Sequence, residues 1–600
     1  MLKIIFGTGI LAAALILVSA AVPDNTKYLS PSAVICDKAG KKLYIAEKTA
    51  NQVAIFDTVA CEVTSTISLP GSPGSLALSS DGNSLYITLS EPNGKLCKIR
   101  TINNKIQDVF NIGHTPSAIT LSPDGNQVYV TNRFDNTVSI FNTETHAVEN
   151  IKVAREPFDL AITQDSQKLI VTHLLPNDSA PSKNYISAQV SIIDTAAKTV
   201  TNINLPNGSV LAHGVTISPD NKYAYVTHLL GHYDLPANQI ERGWIVTNAL
   251  SIIDMQNNTL FNTVLLDDLD LGAANPWDII CSPDGNSLYI THAGTDEISV
   301  INRTALHRQL TVATNAVCDL GMMAKVGRQR IATKVKGPRC AALANGKIWV
   351  TGYFSKSIAS IAPNAKKIDQ LKLYSLGDEP VVTDARRGEM LFNDATICFQ
   401  QWLSCTSCHP DGRADGLNWD QLNDGFGNPK QTKSLLYSHE TPPTTITGCR
   451  PNAEASVRGG LAYNYFQIRP ENEAAAIDEY LLSLHAVSSP YTVNGQFSKS
   501  AIRGKAIFEG VANCSNCHSG KYFTNMKAYN VGSGTGTDAN TKFDTPSLRE
   551  IWRIAPYLYD GRAVTIKEVL TKYNQNDLHG NTSELSESEI SDLVEYILSL

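Results

Sequence analysis

Self-similarity is the feature that most constrains this chain. From residue 31 to about 379 one unit recurs. It runs proline, short apolar strand, Ser-Pro-Asp-Gly-like turn, strand ending in Val/Ile-Thr, Val-Ser-Ile-Ile-Asp-like strand, then a fourth apolar strand. Pro31, Pro73, Pro116 and Pro157 open successive units, at spacings of 41 to 43 residues. The turns Ser80-Asp81-Gly82, Pro123-Asp124-Gly125 and Pro283-Asp284-Gly285 supply the positive φ that a tight hairpin needs. Alternation through Gln127-Val128-Tyr129-Val130-Thr131 marks a half-buried strand. The units fall at 31–72, 73–115, 116–156, 157–209, 210–275, 276–337 and 338–379. Four strands per unit at this period predict an all-β, seven-bladed propeller over 31–379.

The rest of the chain reads differently. After about residue 380 the period-two pattern gives way to helical patterns, so the fold class is multidomain, an all-β propeller followed by mainly α-helical domains. Of 600 residues, 42% are hydrophobic, enough for large cores. Lys and Arg number 50 against 57 Asp and Glu, a formal net charge of -7 without basic runs. That balance argues against a nucleic-acid partner.

Residues 1–20 read as a signal peptide. Lys3 precedes the apolar run Ile4 to Val18, and Val18-Ser19-Ala20 offers small residues for cleavage. Without cleavage the run would be a membrane anchor. No later segment has eighteen uninterrupted apolar residues, so the mature chain is expected to be exported, periplasmic in a Gram-negative bacterium, without a membrane span.

The helical part carries two C-x-x-C-H motifs, Cys405-Thr406-Ser407-Cys408-His409 and Cys514-Ser515-Asn516-Cys517-His518. Each can attach a haem through two thioethers and offer its histidine to the iron. With 12 Cys and 13 His in the chain, chance supplies roughly 0.005 such matches. Coincidence is excluded. The flanks are duplicated too. Arg387-Gly388-Glu389-Met390-Leu391-Phe392 precedes the first motif and Arg503-Gly504-Lys505-Ala506-Ile507-Phe508 the second. Apolar helical runs at 474–484 and 587–600 close each copy. Two cytochrome c domains are expected, at 380–487 and 488–600, holding two covalent c-type haems.

The Tyr-Val-Thr-Asn wording at 129–132 resembles the YVTN family of propellers. The tandem haem domains resemble the bacterial di-haem cytochrome c peroxidase superfamily that includes MauG, most closely over residues 545–566. That resemblance implies one haem that accepts electrons and another where peroxide or a different oxidant reacts. It also implies a small redox protein or a quinol-linked donor as partner, a protein substrate in the MauG manner, and calcium at the interface of the haem domains. The chain departs from the pattern at three places. Gly425-Phe426-Gly427 stands where the family has Gly-His-Gly, and Ile446 stands for the inter-haem Trp. Arg458 falls near the family's distal Glu, with Glu454 a shifted substitute, so these two are the catalytic candidates.

For the second haem, His579 is the first choice of axial partner and Tyr573, at the MauG position, the alternative. His439 is the candidate for the first haem. His485 reads as a helix cap and Met526 as a minor candidate ligand. Cys398 and Cys449 bracket the first motif and are a candidate disulfide in an oxidising compartment. On the propeller, His173, His228 and His292 follow the Val/Ile-Thr of neighbouring blades, and His213 and His232 lie towards the same face. Five imidazoles there suit an additional metal such as copper. Without metal, the slot is a hydrogen-bonding one, which Asn132 also fills, and the face docks the haem domains or funnels substrate. Two functions follow, an oxidoreductase or a non-enzymatic electron carrier and binding module. The missing Trp and Glu favour the second, the peroxidase architecture the first.

Overall fold

The computed structural model describes residues 27–177, 185–313, 316–363, 371–422 and 427–600. The signal segment 1–20 and Phe426 lie outside the described residues. The repeat folds into seven antiparallel sheets, four-stranded except the fifth, which carries one additional short strand. Within each blade the strands pair in sequence order, as Pro31–Cys36, Lys42–Glu47, Gln52–Asp57 and Glu62–Ser68 do in the first. The Asp-Gly turns close as expected, with φ of 74° at Gly82, 76° at Gly125 and 71° at Gly285.

The repeated threonine explains why neighbouring blades hold together. Thr172 Oγ1 accepts from Asp159 N at 3.0 Å in its own blade and donates to His213 O at 2.8 Å in the next. Thr227 repeats this with Gly214 N at 3.0 Å and Trp277 O at 3.0 Å. Thr131 does so with Ala118 N and Phe158 O. A hydroxyl both accepts and donates, so one side chain satisfies two buried backbone groups on adjacent blades. Ring closure adds apolar packing to thiol bonds, Cys340 Sγ donating to Ser32 O at 2.9 Å and Cys36 Sγ to Leu343 O at 3.1 Å. Blade one ends at Ser68 and blade seven begins at Pro338, and no strand is shared between them. Phe56 meets Trp349 edge-on at 5.3 Å within a buried cluster that includes Val34, Ile45 and Ile358. Leu29 N donates to Glu379 Oε1 at 3.0 Å and tethers the two ends of the propeller.

The two C-x-x-C-H regions, called haem domains after the group such motifs are expected to attach, are each built on a crossing of their first and last helices. In the first, α1 (Asp384–Asn393) crosses a helix that follows α2 (Ala453–Tyr463), namely α3 (Glu471–Leu482). In the second, α4 (Lys499–Glu509) crosses α5 (Glu587–Leu598). A Cβ at Gly388 would stand 1.8 Å from Ala476 O, and one at Gly504 would stand 1.9 Å from Asp592 O. Only glycine permits backbones that close. The duplicated Arg-Gly of the sequence is therefore a packing requirement.

The propeller and the first haem domain share a core. One apolar cluster joins Leu174, Ile186, Leu229 and Ile245, from the insertions of blades four and five, to Phe392, Trp402, Leu461 and Leu481 of the first haem domain. The second haem domain keeps a core of its own around Phe508, Ile551, Leu593 and Ile597.

Thr227→Val preserves shape but orphans Gly214 N and Trp277 O. Leaving two buried backbone groups unpaired is expected to lower stability by about 2–4 kcal/mol. Urea unfolding checks it, and a change below about 0.5 kcal/mol would contradict the staple.

Candidate functional site

The first motif is held by three elements. Its short helix Cys405–Cys408 starts with a capping box between Ser404 and Ser407. Thr406 Oγ1 donates to Asn393 Oδ1 on α1 at 2.9 Å. From the propeller, Asn275 Nδ2 donates to Ser404 Oγ at 2.6 Å and Asn275 Oδ1 accepts from Ser407 Oγ at 2.9 Å. His409 Nδ1 donates to Arg413 O at 2.9 Å, and His518 Nδ1 donates to Phe523 O at 3.1 Å. Those bonds fix each tautomer and leave Nε2 as the ligating nitrogen.

Both motifs open into one continuous, mainly apolar cavity of about 540 Å³. Its walls include Cys405, Cys408 and His409 from the first motif, Cys514, Cys517 and His518 from the second, and His579. Burial pushes the Cys405 and Cys514 thiols up to about 11. Burial also lowers both motif histidines, so the imidazoles are neutral, the form that ligates a metal. His579 falls to about 4, from burial first and the neighbouring His518 second.

The residues fit haem. Gly460 sits inside α2, where a glycine costs about 1 kcal/mol, yet a Cβ there would meet nothing within 4 Å. The helix leaves room for a group the chain does not supply. The His518 and His579 ring centres lie 6.3 Å apart. Two metal–imidazole bonds of about 2.0 Å, each with about 1.1 Å from nitrogen to ring centre, require roughly 6.2 Å.

Comparison with known proteins agrees with this geometry. The seven-bladed β-propeller lactonase family matches residues 85–175, and the cytochrome c family matches residues 501–600. Hydrazine synthase subunit gamma of Kuenenia stuttgartiensis is 29% identical over 271 residues, 36% of this chain and 77% of the subunit. The methylamine utilization protein MauG of Methylophilus methylotrophus is 33% identical over 273 residues, 36% of this chain and 82% of that protein. The chain belongs to the MauG and cytochrome c peroxidase family. A solved Kuenenia stuttgartiensis hydrazine synthase structure covers 60% of this chain and 99% of its own, at 22% identity and a TM-score of 0.51, a likeness of fold alone. Membership implies c-type haem.

Several expected site residues of this MauG relative lie elsewhere. Glu454 is exposed on the first turn of α2, and Arg458 pairs outward with Asp478 and Glu471, so neither lines the cavity. His439 is held by Asp478 at 3.0 Å, away from the cavity wall. Tyr573 lies under Lys572 and Arg562 and Met526 is 39% exposed, both outside the lining. The His485 side chain is exposed, while its carbonyl accepts from Arg413. Ile446 does line the cavity. Cys398 and Cys449 are both unpaired thiols, one buried and the other exposed, so the expected disulfide is not formed.

Other wall residues carried little sequence signal. Ile245 comes from a propeller insertion, Arg450 donates to Ala455 O and Ser456 O, and the Tyr465 hydroxyl donates to Cys405 Sγ at 3.2 Å. The Gly459-Gly460 pair inside a helical stretch was the one available clue.

The propeller histidines do not converge on a metal. Nε2 of His173, His228 and His292 each meets a serine of its own blade, Ser191, Ser251 and Ser299, at 2.8 Å. Asn132 Nδ2 makes the same bond to Ser139 Oγ at 2.7 Å. His213 stacks on Trp277 at 4.0 Å, and His232 meets Thr247 at 3.1 Å. Among the described residues no group of three or more His, Cys, Asp or Glu is placed to hold a metal ion such as copper. At the haem-domain interface the Lys433 ammonium, paired with Asp544, supplies positive charge. Among the described residues no helix is long and apolar enough to cross a membrane.

Burial lowers His228 to about 4, against about 6.5 in the unfolded chain. Above pH 6.5 neither state holds the proton. Below it the unfolded chain takes up a proton that the folded chain refuses until about pH 4, so stability falls. His228→Asn keeps the serine bond without this linkage. The stability of the variant relative to the parent is expected to rise by about 2 kcal/mol between pH 8 and pH 5. A difference that stays flat over that range would contradict the assignment.

Proposed function

We propose that this chain is an exported oxidoreductase holding two c-type haems, in which peroxide reduction or substrate oxidation at the first is coupled to electron transfer through the second. Cys405 and Cys408 would carry the first haem and Cys514 and Cys517 the second, with His409 and His518 as iron ligands. The observation that carries this reading is the asymmetry of the shared cavity. His409 is the sole imidazole of the first haem domain among the described lining residues, whereas the second domain offers both His518 and His579. A haem with one protein ligand has an open position for a small oxidant; one with two imidazoles is closed and suited to passing electrons.

The chain's own residues do the rest. The bonds from His409 and His518 to backbone carbonyls hold each ring and raise its basicity. The apolar wall limits water. Ile446, at the position of the family's inter-haem Trp, lines the cavity, so electron transfer between the haems would not pass through an aromatic ring at that position. The propeller shapes access from one side through Ile245 and Asn275. A small redox protein or quinol-linked donor would reduce the second domain. Residues 1–20 would direct export.

A permanent electron carrier is the second reading. It is favoured by the lining, where among the described residues Asp544, committed to Lys433, is the one carboxylate available for acid–base work.

A pyridine haemochrome assay is expected to give two c-type haems per chain, and resting spectra one open, cyanide-binding haem beside one low-spin haem. Two closed low-spin haems would select the carrier. His579→Ala is expected to leave both haems attached and abolish the low-spin signal of the second. Retention of that signal, with its loss in Tyr573→Phe, would transfer the ligand role to Tyr573.

A further inference from the structure

The turn that carries His409 is enclosed by charged side chains from both other domains. Arg413 follows the motif by four residues, and its carbonyl is the one that accepts from His409 Nδ1. Its guanidinium makes a two-pronged pair with Glu550 of the second haem domain, Nε to Oε2 at 2.9 Å and the second amino group to Oε1 at 2.7 Å. The side chains are 6% and 1% exposed. Glu550 Oε1 also accepts from Val487 N at 2.6 Å, which fixes the carboxylate from the linker between the haem domains. Arg413 further donates to Asp411 O at 2.7 Å and His485 O at 2.9 Å.

The propeller holds the same turn from the other side. Arg133 pairs with Asp411 and with Glu156, each at 2.8 Å. Arg553, three residues beyond Glu550, reaches Asp411 at 2.6 Å. The Asp411 carboxylate is held between the guanidinium groups of Arg133 and Arg553. The turn from His409 to Arg413 is thus pinned through fixed charges.

We propose that Glu550 is a positioning residue for the first haem. By fixing Arg413 it sets the carbonyl that orients His409 and compensates the guanidinium charge of the same residue, so the second haem domain tunes the first. A hydrogen bond from the distal nitrogen of a ligating histidine raises that ligand's basicity, and fixed charge nearby shifts the balance between ferric and ferrous iron. The inference rests on the proposed attachment of haem at Cys405 and Cys408.

The test is potentiometric titration of the full haem-loaded chain, following the two haems separately. In Glu550→Gln the potential of the first haem is expected to rise, because the Arg413 charge loses its compensation, while that of the second stays where it was. Resonance Raman should show a lowered iron–histidine stretch for the first haem alone. Glu550→Asp restores the charge and is expected to bring the potential back towards the parent value, which general loosening of the fold would not do. An unshifted first haem, or equal shifts of both, overturns the inference. Removing one partner of a buried pair is a severe change. Should Glu550→Gln not accumulate as folded protein, Arg413→Lys keeps the charge and loses the two-pronged pair. A shifted first-haem potential there supports the inference and an unchanged one overturns it. Absence of haem at the first motif in the parent chain would instead refute the proposed function.

Discussion

An ionic junction, buried except at the half-exposed Asp411, joins the three parts of this molecule. Arg133 and Glu156 come from the propeller, Asp411 and Arg413 from the first haem domain, and Glu550 and Arg553 from the second. Taking such charges out of water is costly, and losing one partner costs about 3–5 kcal/mol because the other is left buried and unpaired. Each domain therefore needs the others in one arrangement. The three carboxylate residues also have left-handed backbone, with φ of 49° at Glu156, 51° at Asp411 and 56° at Glu550. Non-glycine residues rarely adopt this conformation, and it persists where surrounding contacts over-determine it.

This junction makes two copies of one fold unequal. Both haem domains have the same glycine-mediated helix crossing and the same bond from the motif histidine to a backbone carbonyl. The first copy alone shares its apolar core with the propeller and has its motif helix capped by the propeller's Asn275. The second closes its own core and places His579 opposite His518. The proposed division of labour follows from these surroundings, since the motifs themselves are alike.

The propeller's histidines share a slot whose chemistry the sequence left open between metal binding and hydrogen bonding. His173, His228 and His292 do occupy equivalent slots. The slot faces the third strand of its own blade, where a serine waits, and so points along the sheet rather than across the channel towards a neighbour. Asn132 in the same slot was the clue, because asparagine and imidazole share a hydrogen-bonding role more often than a metal.

The sequence by itself determined the blades, the helical region that follows them and the two Cys-x-x-Cys-His motifs, because each is local. A hairpin turn, a strand period and a Cys-x-x-Cys-His spacing are set within a few consecutive residues. Only the tertiary structure decided which candidates reach the cavity. Glu454, Arg458, His439 and Tyr573 are near the motifs in sequence but are turned away by helix phase and by partners such as Asp478. Ile245, Asn275 and Glu550 are more than a hundred residues from the first motif and reach it through packing between domains. Contacts of that kind depend on how separately folded surfaces meet, and one sequence carries no periodic or spacing signal for them.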